Sequence, residues 1–351
     1  MKNSSLSMNC PNGISIVICT YNGLTKLEPT LKSIFSLQIE ESIDWELIII
    51  DNASTDSTAD FCKKMIQEYG FVAKSRVILE SKVGCNHARR LGMDEAKYKW
   101  LLFCDDDNHL FPDYIKNAWS ILQKNPLIGA LGGQGIALFE DTKPEWFDRY
   151  SPSFAIGPQA NKNGKINVNR AELYSAGTFF RKEVLKRYFN ANFSCLLVGR
   201  KGNEIFGGED VEFCLLLQLA GYEIWYSSDL KFYHYMPKAR MTWSYYLKLK
   251  GGMSSTAAFF VSYFPFFQNK AVTNLEFYSA YLKNFIFHHI VWLQFLIRYK
   301  IQNKRYTPEQ SDLGKVIHKR KAQSYRTNFK NTFLHFKQLN RVLGVIKITH
   351  D

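Results

Sequence analysis

Trp100-Leu101-Leu102-Phe103-Cys104-Asp105-Asp106-Asp107-Asn108 is an apolar run that stops in three consecutive carboxylates. A short apolar run of this kind reads as a buried strand, because it hides itself without any helical period. Three adjacent acids at its end repel one another and gain nothing from packing, so a cation is expected between them. A divalent metal with oxygen ligands fits that requirement. An acidic turn capping the next helix is the other reading of the same residues, and the flanking sequence has to decide between the two.

Upstream, Ile14 to Cys19 reads as a buried strand ended by Thr20-Tyr21-Asn22-Gly23, with helical spacing from Leu24 to Leu37. Glu46 to Asp51 is a second strand. It ends in Asp51-Asn52-Ala53-Ser54-Thr55-Asp56, a turn rich in cap residues, and a helix through Tyr69 follows. Arg76 to Glu80 is a third strand, and Gly84 to Ala96 a helix carrying Arg89 and Arg90. Strand and helix alternating at this rhythm mean βαβ units and a mainly parallel sheet in an α/β protein. Ligands of such sheets bind at the carboxyl ends of the strands. Thr20-Tyr21-Asn22, Asp51-Asn52 and the acidic triplet all fall at that edge, which favours the metal reading.

Downstream, a helix is expected over Pro112 to Gln123 and a strand near Ile128 to Gly132. Gln134 to Arg170 holds Pro144, Trp146, Pro152, Gly157, Pro158 and Gly164 with little period, and reads as a long irregular excursion of the kind that forms lids and binding loops. A strand follows over Glu172 to Arg181. Ile205-Phe206-Gly207-Gly208-Glu209-Asp210 then opens a helix, Val211 to Ala220, that Gly221 ends. Glu223 to Tyr226 and Leu230 to His234 read as two short strands, and the chain beyond Thr242 as helical and basic.

The 351 residues suffice for two domains, and 46% hydrophobic with 15% aromatic content indicates a folded protein. The net charge of +13 is unevenly placed: from Lys231 onward 20 Lys/Arg face 4 Asp/Glu, leaving the first 230 residues slightly acidic. A basic, aromatic-rich C-terminal third suits an anionic membrane surface or phosphorylated substrates. Seven scattered cysteines without a CxxC pair fit a reducing, cytoplasmic compartment and argue against a disulfide framework or a zinc site. Met1 to Pro11 lacks an apolar signal core, so no export is expected. No apolar run reaches spanning length; Phe285 to Ile297 is too short and is interrupted by His and Gln.

Six motifs occur in order along the chain: Cys19-Thr20-Tyr21-Asn22, Ile50 to Asp56, Ala88-Arg89-Arg90-Leu91-Gly92, the acidic triplet, Gly208-Glu209-Asp210, and His234 followed by Pro237 and Arg240. Together they resemble the family 2 glycosyltransferases, inverting enzymes with the GT-A nucleotide-sugar fold, over roughly residues 12 to 260. The resemblance implies a GT-A domain over 12–240, with a nucleotide half (12–110) and an acceptor half (111–240), followed by a helical region over 241–351. It implies a nucleotide-diphosphate-sugar donor, with Thr20, Tyr21, Asn52 and Arg89 lining its pocket and Asp51 beside them. Asp105 and Asp107 would be the DxD pair holding Mn²⁺ or Mg²⁺, with His234 approaching the metal or diphosphate, and Asp210 the base. Glu209 and Trp146 are candidates for the acceptor side. Two positions depart from the usual pattern: Asn52 stands where many members have Asp, and Arg90 where many have Asn.

The chemistry asks for such residues. A nucleotide-diphosphate leaving group bears several negative charges, which a metal held by two carboxylates neutralises. Inversion places a base near the acceptor oxygen, opposite the leaving group. Burial and Glu209 would raise the Asp210 pKa while a helix N-terminus would lower it. Asp106 points away from its neighbours along an extended chain and is expected to be structural. The expected activity is transfer to a glycan or lipid-linked oligosaccharide in surface polysaccharide synthesis, at the inner face of the cell membrane, with no nucleic-acid partner. A sugar-nucleotide nucleotidyltransferase, which would want a Gly-rich phosphate loop after the first strand, and a non-catalytic sugar-nucleotide-binding protein are the alternatives.

Overall fold

The structure, a computed structural model, describes residues 10–197, 200–201, 204–205, 207–268, 272–301 and 307–345. Most of the polar N-terminal stretch and Phe206 of the helix-opening motif lie outside these residues.

Strands β1 (Ile14–Thr20), β2 (Trp45–Asp51), β3 (Ser75–Leu79) and β4 (Trp100–Asp105) alternate with helices α1 (Leu27–Phe35), α2 (Thr58–Glu68) and α3 (Cys85–Glu95). The four strands are parallel, in the order β3-β2-β1-β4. Their apolar runs are continuous because both faces are covered. Ile16, Ile18, Leu47, Ile49 and Leu102 join one core cluster with Leu31 of α1 and Met65 of α2. Val17, Ile48, Ile50, Leu101 and Phe103 join the other, with Ala88 and Met93 of α3.

Next come β5 (Asn108–Leu110), α4 (Tyr114–Leu122), β6 (Ile128–Phe139), α5 (Phe147–Tyr150), β7 (Gly164–Lys165), β8 (Thr178–Arg181) and α6 (Lys182–Asn190). A two-stranded ribbon of β9 (Arg200–Lys201) and β10 (Glu204–Ile205) precedes α7 (Glu209–Leu219) and β11 (Glu223–Met236). Among the described residues the main sheet runs β3-β2-β1-β4-β8-β6-β11-β5, with β7 also on β11. Strand β8 is antiparallel to β4 and β6, and β5 is antiparallel to β11.

Three sequence expectations change. The strand expected to stop near Gly132 continues to Phe139, so the irregular excursion starts later. The two strands expected over 223–234 are one, β11, with a register shift between Tyr226 and Lys231 where Ser227, Ser228 and Asp229 interrupt the apolar pattern. The strand expected from Glu172 is confined to Thr178–Arg181.

The C-terminal part folds as α8 (Trp243–Ser255), α9 (Asn274–Ile301), α10 (Pro308–Thr327) and α11 (Phe329–Val345). Its packing is continuous with the sheet: Tyr263, Leu339 and Val342 belong to the same core cluster as Val17 and Phe180. Among the described residues, no helix is long and apolar enough to cross a membrane.

Helix α3, which carries Arg89, lies tightly on the sheet. A Cβ at Gly92 would sit 2.4 Å from Cγ1 of Val17, a buried side chain that is stiff about χ1. Gly92→Ala is therefore expected to lower unfolding free energy by about 1–3 kcal/mol, the usual cost of overpacking. Denaturant unfolding reads this directly; an unchanged midpoint would mean α3 has slack that this packing does not show.

Candidate active site

The carboxyl ends of β1, β2 and β4 open into a cavity of about 500 Å³. It is lined by Thr20, Tyr21, Asn52, Gly84 and Arg89, by Asp105, Asp106, Asp107 and His234, and by Asp210 with Tyr245, Leu249 and Met253 of α8.

Asp105 ends β4, whereas Asp106 and Asp107 form the turn before β5, so that turn and not strand alternation divides the triplet. Asp106 is buried and tied down: Thr20 Oγ1 donates to its Oδ2 (2.7 Å), Lys26 Nζ pairs with its Oδ1 (2.8 Å), and Thr30 Oγ1 donates to its backbone carbonyl (3.1 Å). Burial raises its pKa, and Lys26 opposes the rise. Asp105 keeps 38% of its side chain exposed and faces Arg89 Nη2 at 3.4 Å.

Asp107 is the most strongly clasped. Its Oδ1 lies 3.3 Å from His234 Nε2, and its Oδ2 accepts from Arg240 Nη1 at 2.9 Å. Burial alone would raise its pKa, but His234, Arg240 and Lys26 outweigh burial and hold the carboxyl well below the usual range. His234 reaches this position because β11 pairs antiparallel with β5, setting His234 opposite Asn108. Its Nδ1 lies 2.9 Å from the Phe154 carbonyl oxygen. A carbonyl only accepts, so Nδ1 carries the hydrogen and Nε2 is turned to the carboxylate.

Arg89 is buried and committed within the site. Its Nη1 donates to Glu209 Oε1, and its Nη2 donates to Ser175 Oγ (2.6 Å) and faces Asp105. Arg90, by contrast, is on the outer face, paired with Asp94 and stacked over Phe189. Glu209 and Asp210 follow Gly208, whose φ of 120° suits glycine and where a Cβ would meet Leu197 Cδ1 at 2.6 Å. Asp210 Oδ2 accepts from the Ser175 amide (3.1 Å) and its Oδ1 from the Val211 amide (2.9 Å). Burial raises the Asp210 pKa, against the lowering effects of Arg89 and these amides.

Several expected site residues have other work. Asn52 lines the cavity, but its amide clamps the loop before α3: Nδ2 donates to the Glu80 and Lys82 carbonyls, and Oδ1 accepts from the Gly84 amide (2.8 Å). Asp51 does not line the cavity, and its Oδ1 accepts from the Ser54 amide. Trp146, expected beside an acceptor, instead packs among Trp243, Tyr246 and Phe154, because α5 and α8 press together there. Glu209 lines the cavity, with its carboxylate engaged by Arg89. Tyr21 stands at the mouth, 50% exposed.

Sequence reasoning missed Lys26, Ser175 and the Tyr245-Leu249-Met253 face of α8. Only the last had a signal, a spacing of four residues on a helix. Arg240 was visible in a motif but had no assigned partner. Among the described residues, no group of three or more His, Cys, Asp or Glu side chains is arranged to hold a metal ion. Asp107 and His234 are the pair of such groups that face one another at the cavity.

Replacing Arg89 with Met would leave Glu209 buried without its guanidinium, and removing one partner of a buried pair typically costs about 3–5 kcal/mol. We expect Arg89→Met to lose stability on that scale in chemical denaturation, whereas Arg90→Met should stay within about 0.5 kcal/mol. Equal effects of the two would contradict the division of roles.

Residues 15–189 match the family model described as glycosyl transferase family 2. Poly-beta-1,6-N-acetyl-D-glucosamine synthase of Staphylococcus epidermidis is 31% identical over 121 residues, 34% of this chain and 28% of the synthase. The uncharacterized glycosyltransferase YibD of Escherichia coli (strain K12) is 28% identical over 120 residues, 34% of this chain and 33% of the relative. The matched stretch thus spans about a third or less of these relatives' own length. Among solved structures, S. aureus TarS 1-349 in complex with UDP-GlcNAc has a TM-score of 0.51 at 14% identity, covering 90% of this chain and 92% of that one. The mannosyltransferase PcManGT from Pyrobaculum calidifontis, in complex with GDP-Man and Mn2+, has a TM-score of 0.55 at 14% identity, covering 91% and 87%. These likenesses show a shared GT-A-like fold, and with the family match over the sheet-forming half they make this chain a glycosyltransferase of family 2.

Proposed function

We propose that this glycosyltransferase is metal-dependent and inverting, and moves a sugar from a nucleotide-diphosphate sugar to a hydroxyl of a glycan or lipid-linked oligosaccharide in surface polysaccharide synthesis. One observation carries the reading: a single cavity holds a cation-flanked carboxylate cluster, Asp105 to Asp107, and a separate carboxylate, Asp210, with a raised pKa. The ligands in the neighbouring structures, UDP-GlcNAc for TarS and GDP-Man with Mn2+ for PcManGT, support a nucleotide-sugar donor. The synthase relatives support a polysaccharide product.

Residues 12–240 would form the catalytic unit, split at about 110 into donor and acceptor halves, with 241–351 supplying one wall through α8. Tyr21 at the mouth and Thr20 and Arg89 deeper in would shape the nucleotide end. Lys26 and Arg240 place positive charge next to the carboxylates, where a diphosphate would lie. The donor set also suits a hard divalent ion. Adjacent ligands on an octahedral ion of that kind stand about 3 Å apart, and Asp107 Oδ1 and His234 Nε2 are separated by 3.3 Å. Asp107 and His234, with Asp105 beside them, would hold Mn²⁺ or Mg²⁺, and the bound ion would neutralise the leaving diphosphate.

Asp210 is the proposed base. Both its oxygens are oriented by backbone amides, and each keeps a lone pair for an acceptor hydroxyl. A raised pKa makes it a stronger proton acceptor once ionised. The sign follows: only the deprotonated carboxylate accepts the proton, so turnover falls as pH drops through the Asp210 pKa. The acid limb of kcat should therefore lie above the ordinary Asp value of about 3.9.

Asp210→Asn is expected to reduce transfer at least about a hundredfold, while a thermal-shift titration with nucleoside diphosphates plus Mn²⁺ still raises the melting temperature. Full turnover in that variant would remove Asp210 as the base. EDTA should abolish transfer, and added Mn²⁺ restore it. Pyrophosphate release from a sugar phosphate and a nucleoside triphosphate would instead identify a nucleotidyltransferase.

A further inference from the structure

Helix α9 runs 28 residues, about 42 Å, along the C-terminal part. Its inner face is well packed: Phe277 stacks on Phe336 (4.8 Å between centroids), and Tyr281 meets Tyr325 and Phe329. Its outer face is apolar as well. Leu275, Leu282, Ile286, Ile290, Leu293, Ile297 and Ile301 are all exposed, Leu275 and Ile301 at 75%. Single exposed apolar residues are ordinary, but a contiguous stripe of this length marks a contact surface.

We propose that the outer face of α9 lies on an anionic lipid bilayer, parallel to its plane, and docks the enzyme there. Three observations choose this occupant. From Leu282 to Ile301 the exposed positions recur at intervals of 4, 4, 3, 4 and 4 residues. This lacks the alternating three-four register that a left-handed coiled coil with a second copy wants. The charges on the helix are cationic, with Lys283 near the middle and Arg298 and Lys300 at the far end. The acid in its first turn, Glu276, has its Oε2 engaged by the Thr273 amide (2.7 Å) and hydroxyl (3.0 Å). An apolar stripe bordered by cations fits an interface with anionic headgroups. The helix is also not apolar enough to cross the bilayer, so it lies along the surface.

The proposal deepens the lipid-linked acceptor reading but does not depend on it, because docking needs none of the catalytic carboxylates. The test is co-sedimentation of the full chain with vesicles of phosphatidylglycerol and phosphatidylcholine, and with phosphatidylcholine alone. Binding is expected to the anionic vesicles, weakening as salt is raised. The double variant Ile286→Asp, Leu293→Asp should bind them at least about tenfold more weakly, with the same melting temperature and the same nucleoside diphosphate response as the parent. Since both side chains are exposed, folding is not at stake. No binding by the parent, or binding that the double variant retains, overturns the proposal. So does a parent dimer, by light scattering, that the double variant converts to monomer, because the stripe would then cover a second copy. Loss of vesicle binding with intact transfer to a soluble acceptor would separate this result from the catalytic reading.

Discussion

A guanidinium withdrawn from water has to be surrounded by compensating groups, and Arg89 sets that requirement at the centre of this fold. It enters from α3, is closed over by the sheet, and meets the end of β4 through Asp105, the start of α7 through Glu209, and the segment before β8 through Ser175. Burial would favour losing the charge, but the surrounding thiol and carboxylate groups hold it protonated and raise its pKa. A buried pair of this kind adds little net stability compared with well-packed apolar groups. What it fixes is relative position. The helix that begins with Glu209 and Asp210 cannot move against the strand that leads into the aspartates without breaking charge-assisted hydrogen bonds in a place where water cannot replace them.

Strands β1 to β4 were legible because each carries a run of consecutive apolar residues, which a sheet covered on both faces allows. The strands after β5 were less so. Strand β6 contains Gly129, Gly132, Gly133 and Gly135, whose missing side chains look like turn signals; at Gly135, a Cβ would lie 2.1 Å from the Ala155 carbonyl oxygen. Close approach of neighbouring chain, and not a turn, is the reason for that glycine. Strand β11 hid behind Ser227, Ser228 and Asp229, where the pairing shifts register. At the site, residue identities were readable but their duties were not. Asn52 looks like a nucleotide ligand in sequence, yet its amide is taken by main-chain groups from Glu80 to Gly84, contacts that no side-chain pattern encodes. Trp146 is likewise decided by a helix a hundred residues away.

The C-terminal helices are tied into the catalytic half at more than one depth. Tyr245, Leu249 and Met253 face the cavity from α8. Further in, Glu212 of α7 accepts from the Tyr263 hydroxyl (2.6 Å) and from the Leu197 amide (2.8 Å), and His335 Nε2 of α11 stands 3.6 Å from it. Burial pushes the Glu212 pKa up to about 7 and the His335 pKa down to about 3. The contact is thus held by hydrogen bonds to a carboxyl whose proton affinity burial raises, beside an imidazole that burial keeps from charging. The helix that begins with Glu209 and Asp210 is braced along its length by residues far beyond the sheet.

Strand β4 lies near the middle of the strand order and β5 at its far edge, yet Asp106 and Asp107 are all that separates them. The three Cα–Cα steps from Asp105 to Asn108 reach at most about 11 Å, short of the roughly 19 Å that four strand spacings span in a flat sheet, so the sheet must curl until its distant edge returns to the end of β4. The acidic triplet is the seam of that closure, and it brings His234 from the edge strand next to Asp107. Length is therefore constrained there independently of chemistry. One inserted residue between β4 and β5 would leave every carboxylate in place in the sequence and still part the two halves of the cluster.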